Sequence, residues 1–379
     1  MKAKVCMALM VAMLSVGNVA YGQSALLKQL GRAVAREIVT NVKKNNAAEA
    51  QREAILPKEQ APRPKSTTKA IYPLTENTYR NPMVVEEHED KVDFEIDGIG
   101  YSANKLTHVC KVLGPEYAYI RKLKKAVIVE SILYNDVVYQ VLEIAPGAFK
   151  DETITSVQFP QTLEKIGSGA FSYSYLTGTV EIPSSVKYIG SASFAGSDIQ
   201  KVVMKDGVET EICNQAFLNC KKLEEVVLPT SIKSLGDFCF ENSIALKKVH
   251  MPLNIKVIAV GVFGGCTALE SIVLPSSIVT IKQDAFRGSG LRDIYIPEGV
   301  STIGYAAFAD SKISTLYISK SVEKIDNNAF SGCKNLKHVT LPIKFKDAMT
   351  IVHIFDNDNP NLIHTSGNPD DWHAFHWIE

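Results

Sequence analysis

The side chains best able to do chemistry in this sequence are a few histidines, carboxylates, cysteines and glycines, and spacing decides what each group can do. Near the C-terminus, Asp370, His373 and His376 bring one carboxylate and two imidazoles together, donor types that zinc accepts. Their spacing matches no zinc motif and lacks a catalytic carboxylate in the usual place, so they read as packing residues of a terminal cap. Glu86, Glu87, His88, Glu89 and Asp90 form a second donor-rich run. A single histidine among carboxylates has no second fixed ligand nearby, and the run reads as a solvated edge. Gly98, Gly100 and Ala103 superficially fit a dinucleotide fingerprint, yet no helical pattern follows them and no βαβ unit surrounds them. They read as a hairpin. Gly-x-Ser-x-Gly, His-Glu-x-x-His and phosphate-loop patterns do not occur, and no Ser/His or Cys/His pair is placed for nucleophilic work. The expectation is therefore no catalytic residue, no cofactor, no bound metal and no enzyme, with a motif-free carboxylate hydrolase as the weakest alternative.

Charge nominates no partner class. Lys+Arg and Asp+Glu both number 41, so no basic field draws in nucleic acid. Residues 1–22 are organised differently from the rest, with Lys2 and Lys4, an apolar run from Val5 to Val16, then Ala20 and Gly22 at the cleavage-defining positions. That is the pattern of a secretory signal peptide, which makes Gln23 the expected mature N-terminus and the protein exported, to the cell surface, the periplasm or the medium. No later run reaches the ~18 apolar residues of a transmembrane helix. Six cysteines follow the signal: Cys110, Cys213, Cys220, Cys239, Cys266 and Cys333. Export invites disulfides, but Cys220, Cys266 and Cys333 occupy the same slot in repeats two or three apart. At roughly 4.8 Å per layer their backbones lie beyond the ~7 Å limit for a bridge. Buried free thiols are expected.

Those slots exist because the chain repeats. Phe149, Phe171, Phe194, Phe217, Phe240, Phe263, Phe286, Phe308 and Phe330 follow one another at intervals of 22 or 23 residues, and a degenerate copy closes at Phe355. A fixed period in the low twenties is the signature of a solenoid, whose units are too small to bury their own apolar faces and must stack. In the clearest unit, Leu223, Val226 and Leu228 point inward along a short strand that Pro229 ends. Ile232 and Leu235 form the second inward pair, Gly236 allows the turn, and Phe240 fills the interior. The proline recurs at 160, 183, 229, 252, 275, 297 and 342; Lys205/Asp206 and Ser319 replace it in two coils, which are expected to turn more loosely.

The rest of the chain is assigned around this array. The fold expected is a β-rich solenoid of about nine to ten coils over residues 141–355, with an N-terminal cap at 91–140 and a C-terminal cap at 356–379 in which Trp372 and Trp377 are core anchors. Residues 23–45 carry apolar positions at three- and four-residue intervals with a basic opposite face, an amphipathic helix suited to an anionic membrane surface or an acidic partner. Residues 46–90 are Pro-containing and poor in large apolar side chains, as a flexible linker is.

The repeated pattern Leu-x-x-Val-x-Leu-Pro-x-Ser-Ile-x-x-Leu-Gly-x-x-x-Phe-x-x-Cys, running through residues 141–341, resembles the BspA-type leucine-rich repeat of bacterial surface and secreted proteins. The lead-in that ends at Phe149 resembles the first unit of such arrays. The resemblance implies a curved right-handed solenoid and, for several members, adhesion to host matrix proteins or to other cells. It carries over no ligand, because the matching residues are structural.

Binding residues must then come from outward positions. One outward side chain per first strand gives the column Gln158, Glu181, Val203, Val227, His250, Val273, Tyr295, Tyr317 and Thr340. Within it Val227, His250, Val273, Tyr295 and Tyr317 make a weakly polar stripe flanked by charge, the character of a face for an extracellular protein or glycan. Val, Tyr and Thr also favour any sheet surface for packing reasons alone. An adhesion or binding protein is the leading expectation. The alternative is an envelope scaffold, tethered through peripheral membrane contact of residues 24–44.

Overall fold

The computed structural model describes residues 76–115, 123–355 and 375–378. The expected signal peptide, the basic helix, most of the linker, and Asp370, Trp372 and His373 lie outside the described residues. From the period and the inward pattern the chain builds a β-solenoid with two strands per coil. In the clearest unit Leu223, Val226, Leu228, Ile232, Leu235 and Phe240 are all buried. Each such side chain contributes roughly 1.5 to 3 kcal/mol of burial before chain entropy is counted.

The first strands of successive coils run parallel in separate sheets, the first of which pairs Lys125–Val127 with Ser156–Gln158. Thr179–Ile182, Lys201–Met204, Glu225–Val227 and Lys248–His250 make a four-stranded sheet, and Asp293–Ile296, Thr315–Ile318, His338–Pro342 and Phe375–Ile378 make another. Between them Ser271–Leu274, the first-strand position of the intervening coil, carries no ladder. The second column lapses one coil earlier. Its strands Val137–Ile144, Lys165–Ile166, Tyr188–Ile189, Thr210–Ile212 and Ile232–Leu235 belong to one sheet, and Val257–Ile258, Thr280–Ile281, Thr302–Ile303 and Lys324–Ile325 to the next.

The anchor turn does not lapse. The Phe240 amide donates to the Val262 carbonyl at 3.0 Å, and the same bond recurs from Phe149 to Ala170 (2.7 Å) through Phe330 to Ile354 (3.0 Å). The rings follow suit. Neighbouring anchors from Phe149 to Phe355 stack with centroids between 5.0 and 5.7 Å apart and planes within 22°, so Phe355 is a true last anchor, supplied by the helix Ala348–Phe355. Phe375 ends the column by meeting Phe355 edge-on at 79°. Two positions of every turn, two residues before and two after the anchor, take left-handed φ between 50° and 70°. Glycine fills only some of them. Ala192, Gln215, Phe238 and Tyr173 accept the same conformation, at a cost the surrounding ladder outweighs.

Gly236 has a different reason from the one its sequence context suggests. Its φ is not left-handed; a Cβ there would stand 2.3 Å from the backbone of Cys213 and Asn214 in the preceding coil. The glycine supplies room rather than a turn. The two coils without the strand-ending proline are also not loose. Asp206 Oδ1 accepts from the Thr230 amide at 2.6 Å, and Ser319, fully buried, donates to the Pro297 carbonyl at 2.9 Å. A side-chain hydrogen bond between coils replaces the stiffness of the ring.

The six cysteines among the described residues are free, and five are buried. From Phe171 to Phe330 the slot three residues after the anchor holds a serine or a cysteine, and some of them meet across coils: Ser197 lies 3.6 Å from Cys220, and Ser311 3.2 Å from Cys333. Cys220, Cys266 and Cys333 each donate to the carbonyl of the preceding coil's anchor at 3.2 Å. Burial pushes the Cys220 thiol up to about 11 and that of Cys266 up to about 12, so neither is a nucleophile at neutral pH.

At the N-terminal end Met83–Glu87, Lys91–Ile96, Ile99–Asn104 and Val109–Gly114 form an antiparallel meander whose last strand runs parallel to Val137–Ile144, and Ser131–Tyr134 closes on that same strand. Gly98 and Gly100 lie in the hairpin of this meander, with Ile96 opposite Ile99. Strand structure starts at Thr78, inside the stretch expected to be linker, because Thr78–Tyr79 pairs with Ser131–Ile132 and Met83–Glu87 with Lys91–Ile96. At the C-terminal end the edge assignments need correcting. Phe375 is buried, but His376, expected in cap packing, is exposed, and Trp377 is half-buried against Phe375 at 5.6 Å rather than a core anchor.

Candidate functional site

The outward residues of the first strands share a column because parallel pairing without slippage puts equivalent positions side by side. Glu181 pairs with Val203, Val203 with Val227, and Val227 with His250. Beyond the lapse Tyr295 pairs with Tyr317, Tyr317 with Thr340, and Thr340 with His376. Val273 lies in the ladder-free segment between these two runs and is 54% exposed. The stripe expected from the sequence is therefore two stretches in register, separated by one coil.

The first stretch is more polar than its apolar names imply. Glu225, two residues before Val227 and on the neighbouring outward column, gathers two ammoniums and an imidazole: Lys201 Nζ at 2.7 Å, His250 Nε2 at 2.9 Å and Lys248 Nζ at 3.5 Å. Its hydrogen bond from Lys201, reinforced by His250, holds the Glu225 carboxyl down at about 2, against partial burial that acts the other way. His250 is thereby half-buried and committed to a neighbour. Its ring is a bridge in this cluster more than a free donor.

The second stretch is aromatic. The rings of Tyr295 and Tyr317 stack with centroids 4.7 Å apart and planes within 13°. Partial burial, assisted by the charge of Glu298 and in Tyr295 by its neighbour Tyr317, pushes both phenols up from their ordinary value. Each therefore stays a neutral hydroxyl that can donate. Because each ring covers one face of the other, what the pair offers outward is two ring edges and two hydroxyls held in fixed orientation. Parallel registration of two rings costs rotamer entropy at folding, so a partner that binds them pays little of it again.

Among the sequence-predicted residues, Tyr295 and Tyr317 are in contact, Val227 and His250 are paired neighbours in register, and Val273 stands between the two groups. Glu225 and Lys201 were placed only as flanking charges; cross-strand charge pairing of coils 23 or 24 residues apart, Lys201 to Glu225 and Glu225 to Lys248, is the signal that finds them. His376 adds an unexpected end to the column. Among the described residues no helix is long and apolar enough to cross a membrane.

The family model for the BspA type leucine-rich repeat region matches residues 142–270 and 257–352, in six copies. This chain belongs to the BspA-type leucine-rich repeat family. Solved structures similar to this BspA-type chain include a leucine-rich repeat protein from Bacteroides ovatus, 24% identical over 68% of this chain and 74% of that one, with a TM-score of 0.49. The pneumococcal vaccine antigen PcpA is 20% identical over 65% of this chain and 81% of its own, with a TM-score of 0.43. A leucine-rich cell surface protein from Faecalibacterium prausnitzii is 20% identical over 69% of this chain and 72% of its own, with a TM-score of 0.39. No curated protein matches the chain.

Proposed function

We propose that this BspA-type protein is exported and works as a binding protein, adhering to an extracellular protein through the outward column of its first strands. The observation that carries the reading is the Tyr295–Tyr317 pair. Two tyrosines stacked on an outer face bury little of the core, yet they present rigid aromatic edges with neutral hydroxyls, one coil beyond the polar Lys201, Glu225, Lys248 and His250 group, and aromatic anchors with a polar rim are what protein partners recognise. A glycan fits less well, since sugar stacking wants an open ring face and each tyrosine gives one of its two faces to the other. The signal-like pattern of residues 1–22 supports export.

The test uses residues 23–379 of the wild type and a Tyr295→Ser/Tyr317→Ser double variant against matrix proteins, mucins and glycans. Saturable binding to a protein ligand, lost in the folded double variant, is the expected result. Binding that survives the double variant would move the site off this column. A folded protein that binds nothing on the panel and co-sediments with membranes through residues 24–44 would replace adhesion with the envelope-scaffold reading, which the basic amphipathic pattern there motivates.

A further inference from the structure

We infer that the N-terminal meander carries a site for one divalent transition-metal ion, held by Glu86, His88 and Asp93. The run from Glu86 to Asp90 offered one histidine and no second fixed ligand; the fold supplies that ligand from the facing strand. Asp93 sits directly opposite Glu86 in the antiparallel pair of Met83–Glu87 with Lys91–Ile96, and the register shifts between Val84 and Glu86, a bulge of the kind that re-aims side chains. His88 follows Glu86 by two residues, at the turn that its amide closes on the Lys91 carbonyl at 2.8 Å. One donor atom from each of the three residues lies within 4.8 Å of the other two.

The decisive group is Asp93. Its side chain is only 6% exposed, and while Oδ2 takes the Lys91 ammonium at 2.9 Å, Oδ1 is buried with no hydrogen-bond partner. A buried carboxylate oxygen left without a donor is costly, and folded proteins rarely leave one so. Glu95 Oε2, two residues further along the same strand, is likewise buried and unpaired. Lys91 takes Asp93 Oδ2, and Lys105 takes Glu87 and the His88 carbonyl, and neither ammonium hydrogen-bonds Asp93 Oδ1 or Glu95 Oε2. A cation held by the Asp93 carboxylate, Glu86 Oε1 and His88 Nε2 would balance these carboxylates.

The geometry favours a small ion with an affinity for nitrogen. His88 Nε2 and Glu86 Oε1 already stand 3.0 Å apart, close to the separation of two ligands at about 2.1 Å from one ion, which lie about 3.0 Å apart at an octahedral right angle and about 3.4 Å apart at the tetrahedral angle zinc takes. An imidazole with two carboxylates suits zinc, cobalt, nickel or manganese, whereas calcium prefers oxygen throughout. On binding, the Nε2 lone pair turns from the Glu86 hydrogen bond to the metal, with the ring proton on Nδ1, and water fills the remaining positions. The residue between the two exposed ligands is held independently: Glu87 accepts from Lys105 Nζ at 2.8 Å and from the Tyr134 hydroxyl at 2.9 Å. The strand that presents Glu86 and His88 is thus positioned before any ion arrives, and the ion would pin the edge strand of the eleven-stranded sheet to its neighbour.

The experiment is titration calorimetry of untagged residues 23–379 with zinc, cobalt(II) and calcium, alongside His88→Ala, Glu86→Gln, Asp93→Asn and a His373→Ala/His376→Ala control. The expected result is one zinc per chain, weakened about ten-fold or more in His88→Ala and Glu86→Gln, unchanged in the His373/His376 control, with ligand-field bands of bound cobalt that His88→Ala removes. His88 and Glu86 are exposed, so these variants report on binding even if Asp93→Asn fails to fold. Absence of saturable zinc binding, binding unaltered by His88→Ala, loss of binding in the control instead, or calcium binding as tight as zinc would each overturn the site.

Discussion

Phe194 and Phe217 lie in adjacent coils with their rings parallel to within 1° and centroids 5.2 Å apart. Neither ring touches solvent, and each is covered on both faces by the next anchor, so removing one ring deprives two neighbours at once. Phe240→Ala is expected to cost about 3 to 5 kcal/mol and to lower the melting temperature. Chemical denaturation with a circular-dichroism readout checks it; an unchanged midpoint would mean that the anchor register is wrong.

Cys220→Ser is expected to be nearly silent, within about 1 kcal/mol. Ser197 and Ser243 fill the same slot one coil away on either side, and Ser243 makes the same bond to an anchor carbonyl, at 3.3 Å to Phe217, that Cys220 makes to Phe194. In the native wild type the buried thiols should react with a disulfide reagent only on unfolding, since the thiolate is scarce with the Cys220 thiol near 11. Stoichiometric fast labelling of the native protein would contradict the burial.

The Tyr295→Ser/Tyr317→Ser variant separates packing from recognition. Tyr295 is 37% exposed and both rings project from the strands away from the core, so the cost to folding should stay near that of a cross-strand aromatic pair, about 1 kcal/mol. A thermal melt measured beside ligand binding decides it: a large fall in melting temperature would assign the pair to structure.

Glu225 gives the face a pH signature. Its carboxyl is held at about 2 in the folded protein against an ordinary 4.5. Between those values the unfolded chain binds the extra proton, so stability rises with pH across that window. The contribution is complete above the ordinary value and disappears as pH falls through about 2. Glu225→Gln should therefore melt lower than wild type near neutral pH and converge with it in strong acid. Parallel curves at every pH would show that the lysines and the histidine around Glu225 do not couple to folding.

The repeat was legible because packing acts on it directly. A phenylalanine at each coil, the proline at strand ends and the small residue three positions on are all dictated by what an interior layer can hold, and they recur in the letters of the chain. Phe355 could be read for the same reason, even in a degenerate copy. Gly236 was read correctly as special but for the wrong cause, since φ and close backbone approach leave the same letter. The lapse at Ser271–Leu274 left no mark, because Ile272 and Leu274 keep the inward pattern of a strand whose hydrogen bonds are missing. Asp93 was illegible as a ligand: its partners Glu86 and His88 come from the facing strand, and the bulge that aligns them is a property of pairing, not of local sequence.

The lapse also divides the outward column into two unlike halves. On one side of Ser271–Leu274 stand Lys201, Glu225, Lys248 and His250; on the other, Tyr295 and Tyr317. A partner long enough to cover both meets ionic chemistry first and aromatic chemistry second, in an order that reverses if the partner is turned end for end. The array of near-identical coils therefore has a polarity, and a partner built from repeats of its own could dock on it in one direction only.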